Sequence, residues 1–208
     1  MIPYYINLDH RIDRKILVER EFSSLNLEFI RIPAILHTDG AIGCLKSHIK
    51  VLETCDPDAE YLWVCEDDIE FLVPRDNINK SIDDFIKSDG DILCLAFNSR
   101  KHSKFINGFL RTTDNQTTSC YIVKRKFRHI LLDFWKSLLN SIETNMIHPL
   151  MDIYIKLDVH KGENVFNAAD QAWKILQKDY IFLIPENRIA KQRSGYSDIV
   201  GGHVNYKC

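Results

Sequence analysis

Hydrophobic positions along this chain fall into two patterns. Short unbroken runs of strand length, YYINL (4–8), FIRIPAI (29–35), YLWVC (61–65), DILCLAF (91–97) and YIFLIP (180–185), read as buried strands. Between them apolar residues recur at helical spacing. RIDRKILVEREFSSL (11–25) carries Ile12, Ile16, Phe22 and Leu25, and AIGCLKSHIKVLETC (41–55) carries Ile42, Leu45, Ile49 and Leu52. NINKSIDDFIKS (77–88), KFRHILLDFWKSLLNSI (126–142) and AADQAWKILQKD (168–179) predict further helices. FINGFLRTT (105–113) and TTSCYIVKR (117–125) predict two strands about a polar turn. HPLMDIYIKL (148–157) opens a new segment after a Pro break, and the polar tail from about residue 186 reads as loop-like. Strand and helix alternate through the first half, which predicts an α/β fold with a central, mostly parallel sheet in a single domain over 1–208.

In such sheets ligands collect beyond the carboxyl ends of strands. One run ends there in three adjacent carboxylates: LWVCEDDIEF (62–71) climbs into Glu66, Asp67 and Asp68. Three such charges repel one another and need a counter-charge. Mn2+ or Mg2+, held by one or two carboxylates, supplies it and can grip a diphosphate on its open positions. In an extended segment Glu66 and Asp68 face one way, to share that ion, and Asp67 the other. The competing reading is a solvated acidic loop.

Composition narrows the field. The chain has 208 residues, 45% hydrophobic and 27% charged, with net charge -2. It has no basic surplus for nucleic acid, no apolar run long enough to cross a bilayer, and no signal peptide in MIPYYINLDH. These features set the expectation of a cytoplasmic protein. The six cysteines form no CxxC pair, so reduced, buried thiols are expected. Glycosylation-type triplets at Asn79 and Asn115 read as chance. Trp63, Trp135 and Trp173 lie in apolar segments and read as core, with sugar stacking as the alternative.

Several ordered blocks together resemble glycosyltransferase family 25, the group of lipooligosaccharide glycosyltransferases and relatives of procollagen galactosyltransferases. They are YYINLDHRIDR (4–14), GAIGCLKSH (40–48), VCEDDIEF (64–71), TTSCYIVKR (117–125), HPLMD (148–152) and PENRIAKQRSGYSDI (185–199). The chain departs from the family pattern at Ala41, Cys65, Ser119 and Cys120. The resemblance implies a GT-A fold, a nucleotide-sugar donor (UDP-galactose or UDP-glucose), Mn2+ (or Mg2+), a glycan or protein-linked acceptor, and inversion.

It also implies roles. Asn7, Leu8, Arg11 and Arg14 would hold the nucleoside, with a helix-start ion pair to Asp9 or Asp13 as the other reading of the arginines. Gly43, with Gly40, would admit a ligand closely or simply form a turn. Ser47 and His48 would join the donor site or sit as hydrogen-bonded core residues. Glu66 and Asp67 would meet the donor; Asn98, which follows the strand DILCLAF to the same sheet edge, would contact the sugar or simply form a turn. Asp68 with Glu66 or Asp67 would hold the metal, with His203 as a tail ligand or an exposed histidine. Asp152 would be the general base, unless it caps a helix, and Asp170 is its rival. Two other classes fit the acidic triplet: a metal-dependent phosphodiesterase and a non-catalytic sugar- or protein-binding module.

Overall fold

The structure, a computed structural model, describes residues 1–105, 108–145, 168–199 and 201–205. Asp152 and the HPLMD block lie outside the described residues. The elements run β1 (Pro3–Asn7), α1 (Ile12–Ser24), β2 (Ile30–Pro33), α2 (Gly40–Thr54), β3 (Tyr61–Glu66), β4 (Ile69–Phe71) and α3 (Arg75–Ile86). They continue with β5 (Ile92–Cys94), β6 (Asn98–Ser99), β7 (His102–Lys104), β8 (Phe109–Thr112), β9 (Asn115–Gln116), β10 (Cys120–Lys124) and α4 (Arg125–Glu143). A short helix (Ala169–Ala172) passes into a 3-10 turn (Trp173–Lys178). Then come β11 (Phe182–Pro185), β12 (Ala190–Gln192), β13 (Gly195–Ser197) and β14 (Gly202–Val204).

Eight strands form one sheet in the order β2-β1-β3-β10-β5-β11-β8-β7. β10 is antiparallel to both its neighbours and β8 to both of its own, so the other strands share one direction. The expected mostly parallel α/β sheet is therefore present. Each central strand splits its side chains between two cores. Leu62 and Val64, Ile92 and Cys94, Tyr121 and Val123 lie on one side with α2 and α4. Trp63 and Cys65, Leu93, Cys120 and Ile122 lie on the other with α1 and α3. Burial on both faces explains why the strands read as continuous apolar runs. α4 buries Phe127, Leu131, Phe134, Trp135 and Leu138 along one stripe, and each such side chain contributes about 1.5–3 kcal/mol.

Three expectations change. In α1 the buried residues are Val18 and Phe22, while Ile12 and Ile16 are exposed. Arg14 occupies the inward stripe four residues before Val18, because it reaches the acidic triplet. The run 91–97 is a strand only over Ile92–Cys94, since Leu95 N and Ala96 N both donate to Cys120 O (2.9 and 3.3 Å) and bend the chain out of the ladder. The tail, read as loop-like, contains β12, paired antiparallel to β4, and the β13–β14 hairpin. All three tryptophans are fully buried. So is Asn115, whose Oδ1 accepts from Asn98 N at 3.0 Å, which leaves its triplet inaccessible.

Candidate active site

β1 and β3 are parallel neighbours, so Asn7 and Glu66 end at one sheet edge. Glu66 closes β3, and Asp67 and Asp68 form the turn into β4. The alternation expected of an extended segment stops at that turn. Asp67 and Asp68 instead share one cation: Arg14 Nη1 lies 2.8 Å from Asp67 Oδ1 and 3.1 Å from Asp68 Oδ2. Asn7 Nδ2 donates to the other Asp67 oxygen at 2.8 Å, and Arg31 Nε donates to Asn7 Oδ1 at 3.0 Å. Both oxygens of Asp67 are thus used inside the protein. Asp68 Oδ2 also accepts from Gln192 Nε2 at 3.0 Å, and its backbone oxygen accepts from Arg193 N at 2.6 Å. Asp68 Oδ1 is buried with no hydrogen-bond partner. Such an atom costs free energy unless a ligand satisfies it.

Glu66 follows a different course. Its Oε1 accepts from Thr118 Oγ1 at 2.7 Å and lies 3.2 Å from His48 Nε2. His48 is fully buried on α2, and its Nδ1 lies 3.1 Å from the Tyr121 hydroxyl. The two carboxylates are driven apart. Burial and the charge of Glu66 push Asp68 up to about 7, against the pull of Arg14. Burial also pushes Glu66 up, but its bonds to His48 and Thr118 outweigh that and hold it below the usual range. Burial raises Asp67 in spite of Arg14 and Asn7. Arg14 is held more firmly protonated, because Asp68 and Asp67 outweigh its burial.

Two clefts meet at this edge. One of about 310 Å³ is lined by Asn7, Leu8, Arg14, Gly43, Ser47, His48 and the acidic triplet. The other, about 240 Å³, is lined by Asn98, Gln116, Thr117, Thr118 and Asp170. Cys44, Glu66, Gln192 and Ile199 border both. Asp170 Oδ2 accepts from Thr117 N at 3.1 Å, and burial raises its carboxyl despite that bond. Ser47 Oγ donates to Gly43 O and accepts from Ile35 N, so it ties α2 to the chain before it. A Cβ on Gly43 would lie 2.8 Å from Ile35 O, and one on Gly40 2.8 Å from Ile199 Cα. The backbone that approaches these glycines is the chain's own. Asp39 caps α2 through Ala41 N and Ile42 N.

Arg11 lies beside the clefts, paired with Asp13 at 2.8 Å and with Asp198. His203 is exposed on the tail hairpin against Tyr196 and lines neither cleft. Gln192, Thr118, Arg31, Cys44 and Asp198 were not anticipated at the site. Thr118 and Cys44 lie inside family-like blocks, and Cys44 stands one helical turn from His48. Gln192 and Asp198 lie inside the family-like tail block 185–199, where no spacing singles them out.

A family model described as glycosyltransferase family 25 (LPS biosynthesis protein) matches residues 35–146, just over half of the chain. The chain belongs to glycosyltransferase family 25. It is a glycosyltransferase, and the central sheet with helices on both faces agrees with the GT-A fold expected of that family. No curated protein matches the chain. Among solved structures it is similar to a glycosyltransferase involved in glycosylation of the major capsid of PBCV-1, at 14% identity over 94% of this chain and 93% of that one, with TM-score 0.49. It is also similar to mouse xyloside xylosyltransferase 1 (6% identity, 86% and 69% covered, TM-score 0.46). A third is 4-diphosphocytidyl-2C-methyl-D-erythritol synthase from Anaerococcus prevotii (11%, 87% and 67%, TM-score 0.41). Among the described residues no helix is long and apolar enough to cross a membrane.

Proposed function

We propose that this glycosyltransferase is metal-dependent. In this reading it moves a hexose from a UDP-sugar, UDP-galactose or UDP-glucose, to a hydroxyl of a glycan or protein-linked glycan, with inversion. The observation that carries the metal is Asp68 Oδ1, a buried carboxylate oxygen without a partner at the end of β3. Asp68 would hold Mn2+ or Mg2+ together with Glu66, whose Oε2 stands outside the bonds to His48 and Thr118. Bound there, the ion would neutralise charge on the departing diphosphate. Asp67 supports that pair from behind by holding Arg14. His203 would need to leave its contact with Tyr196 to join the ion.

The larger cleft suits the nucleotide: its volume falls in the range of small-ligand pockets, and Asn7, the Leu8 backbone and Arg14 line one wall. The smaller cleft suits the acceptor, with neutral amides and hydroxyls around the carboxylates of Asp170 and Glu66. Asp170 lines that cleft and in this reading would take the acceptor proton, a task its raised affinity for protons supports. Asp152 is the other candidate base.

The test is thermal unfolding with UDP and Mn2+, with and without chelator. A ligand at about 100 times its Kd adds about 2.7 kcal/mol to the native state. The expected result is a clear rise in Tm with both ligands and a much smaller one with chelator present. Equal shifts in the two arms would overturn the metal-bridged donor. A screen of nucleotide sugars for Mn2+-dependent hydrolysis then identifies the donor.

A further inference from the structure

Glu66 faces two kinds of partner. On the Asp68 side the ligand atoms are oxygens. On the other side, Cys44 Sγ, a ring nitrogen of His48 and a Glu66 oxygen lie within 4.8 Å of one another. Cys44 and His48 are four residues apart on α2, so both project from one face of the helix. Among the described residues no other three His, Cys or carboxylate groups come together in this way.

We propose that Cys44, His48 and Glu66 form a second, thiophilic cation site, taking Zn2+, in the wall between the two clefts. The donor set decides the metal. One thiolate, one imidazole and one carboxylate match zinc, whereas Mn2+ and Mg2+ favour oxygen alone. Zinc holds such ligands at about 2.0–2.3 Å in a tetrahedron, which needs them roughly 3.3–3.8 Å apart. His48 Nε2 and Glu66 Oε1 already stand at 3.2 Å, so the helix-borne Cys44 has only a small distance to close.

The outer groups are in place too. With Nε2 on the metal, Nδ1–H donates to the Tyr121 hydroxyl, and Thr118 Oγ1 donates to Glu66. These bonds fix the imidazole tautomer and orient the carboxylate. Cys44 and Glu66 border both clefts, so the fourth position opens to solvent. Binding converts the Cys44 thiol to a thiolate and releases one proton, so affinity rises with pH. Because Glu66 belongs to both donor sets, Zn2+ on Oε1 draws charge from the carboxylate that would hold the catalytic ion through Oε2, and so weakens that ion's binding and inhibits transfer. The site itself stands whether or not the Mn2+ reading holds.

The full chain, freed of metal, is titrated with Co2+, whose thiolate complexes absorb in the near ultraviolet, and then with Zn2+, which displaces it silently. The expected result is a Co2+–thiolate band that Zn2+ removes and that Cys44→Ser lacks. Tyr121→Phe should lower Zn2+ affinity by about 10- to 100-fold, the usual effect of losing an outer-shell bond. No band, or a band intact in Cys44→Ser, overturns the site. Should Cys44→Ser fail to fold, iodoacetamide labelling of the wild type decides. Zn2+ must protect the Cys44 peptide, and equal labelling with and without Zn2+ refutes the proposal. The Mn2+ response with UDP is read separately, so Zn2+ binding without any Mn2+ response would remove the donor-metal reading and leave this site standing.

Discussion

Asp68→Asn isolates one buried charge. In the folded, metal-free protein Asp68 is pushed from 3.8 to about 7, so the native state binds a proton that the unfolded chain has already released. Stability therefore falls as pH rises from about 4 through 7, and the loss is complete above that. From about pH 5 to about pH 9 the ionisation curves of the two states differ by about two further units, which is about 3 kcal/mol. Asn keeps the acceptor for Arg14 and Gln192 but cannot ionise. Urea unfolding of both proteins in chelator at the two pH values reads this difference, since titrating groups distant from Asp68 cancel and only its neighbours Glu66, Asp67 and Arg14 respond with it. The variant should gain about 3 kcal/mol on the wild type between pH 5 and pH 9. Adding Mn2+ at pH 9 should restore the wild type and leave the variant unchanged. A gain below about 1 kcal/mol would refute a buried carboxylate whose burial outweighs its pairing with Arg14.

Three further outcomes are expected. Arg14→Met leaves Asp67 and Asp68 without their shared cation and should cost about 3–5 kcal/mol by urea unfolding, the usual result of breaking a buried pair. Asp170→Asn should lower transfer by about 10²- to 10⁴-fold with UDP affinity unchanged. Asp152→Asn in the same assay identifies the base: full transfer in one variant assigns the role to the other residue. Gly43→Ala drives a methyl to 2.8 Å from Ile35 O and should cost about 1–3 kcal/mol, read as a lower Tm.

Much of the architecture was legible because burial on both faces of a sheet writes unbroken apolar runs. YLWVC became β3 and TTSCYIVKR contains β10. Direction was not legible: apolar periodicity is the same for parallel and antiparallel strands, so nothing marked β10 as reversed. Ile12 and Ile16 misled because helical spacing fixes a face without saying which face is inward. The carboxylates at a strand end do line the clefts of the candidate site, but their division of labour depends on groups distant in sequence. Arg14 and Asn7 claim Asp67, whereas His48 and Thr118 claim Glu66. Gln192 reaches Asp68 across 124 residues of chain, and no local pattern encodes such a contact.

That last contact also orders events during synthesis. β4 gains its partner strand only when β12 has emerged, and Asp68 receives Gln192 Nε2 and Arg193 N from the same stretch. Closing so long a loop is slow relative to the local α/β pairings upstream. A nascent chain can therefore build β1 to β3 and its helices while its carboxylate turn is still open on one side. A complete carboxylate turn waits for β12, and products that stop short of it would lack that closure while much of the sheet upstream could already be formed.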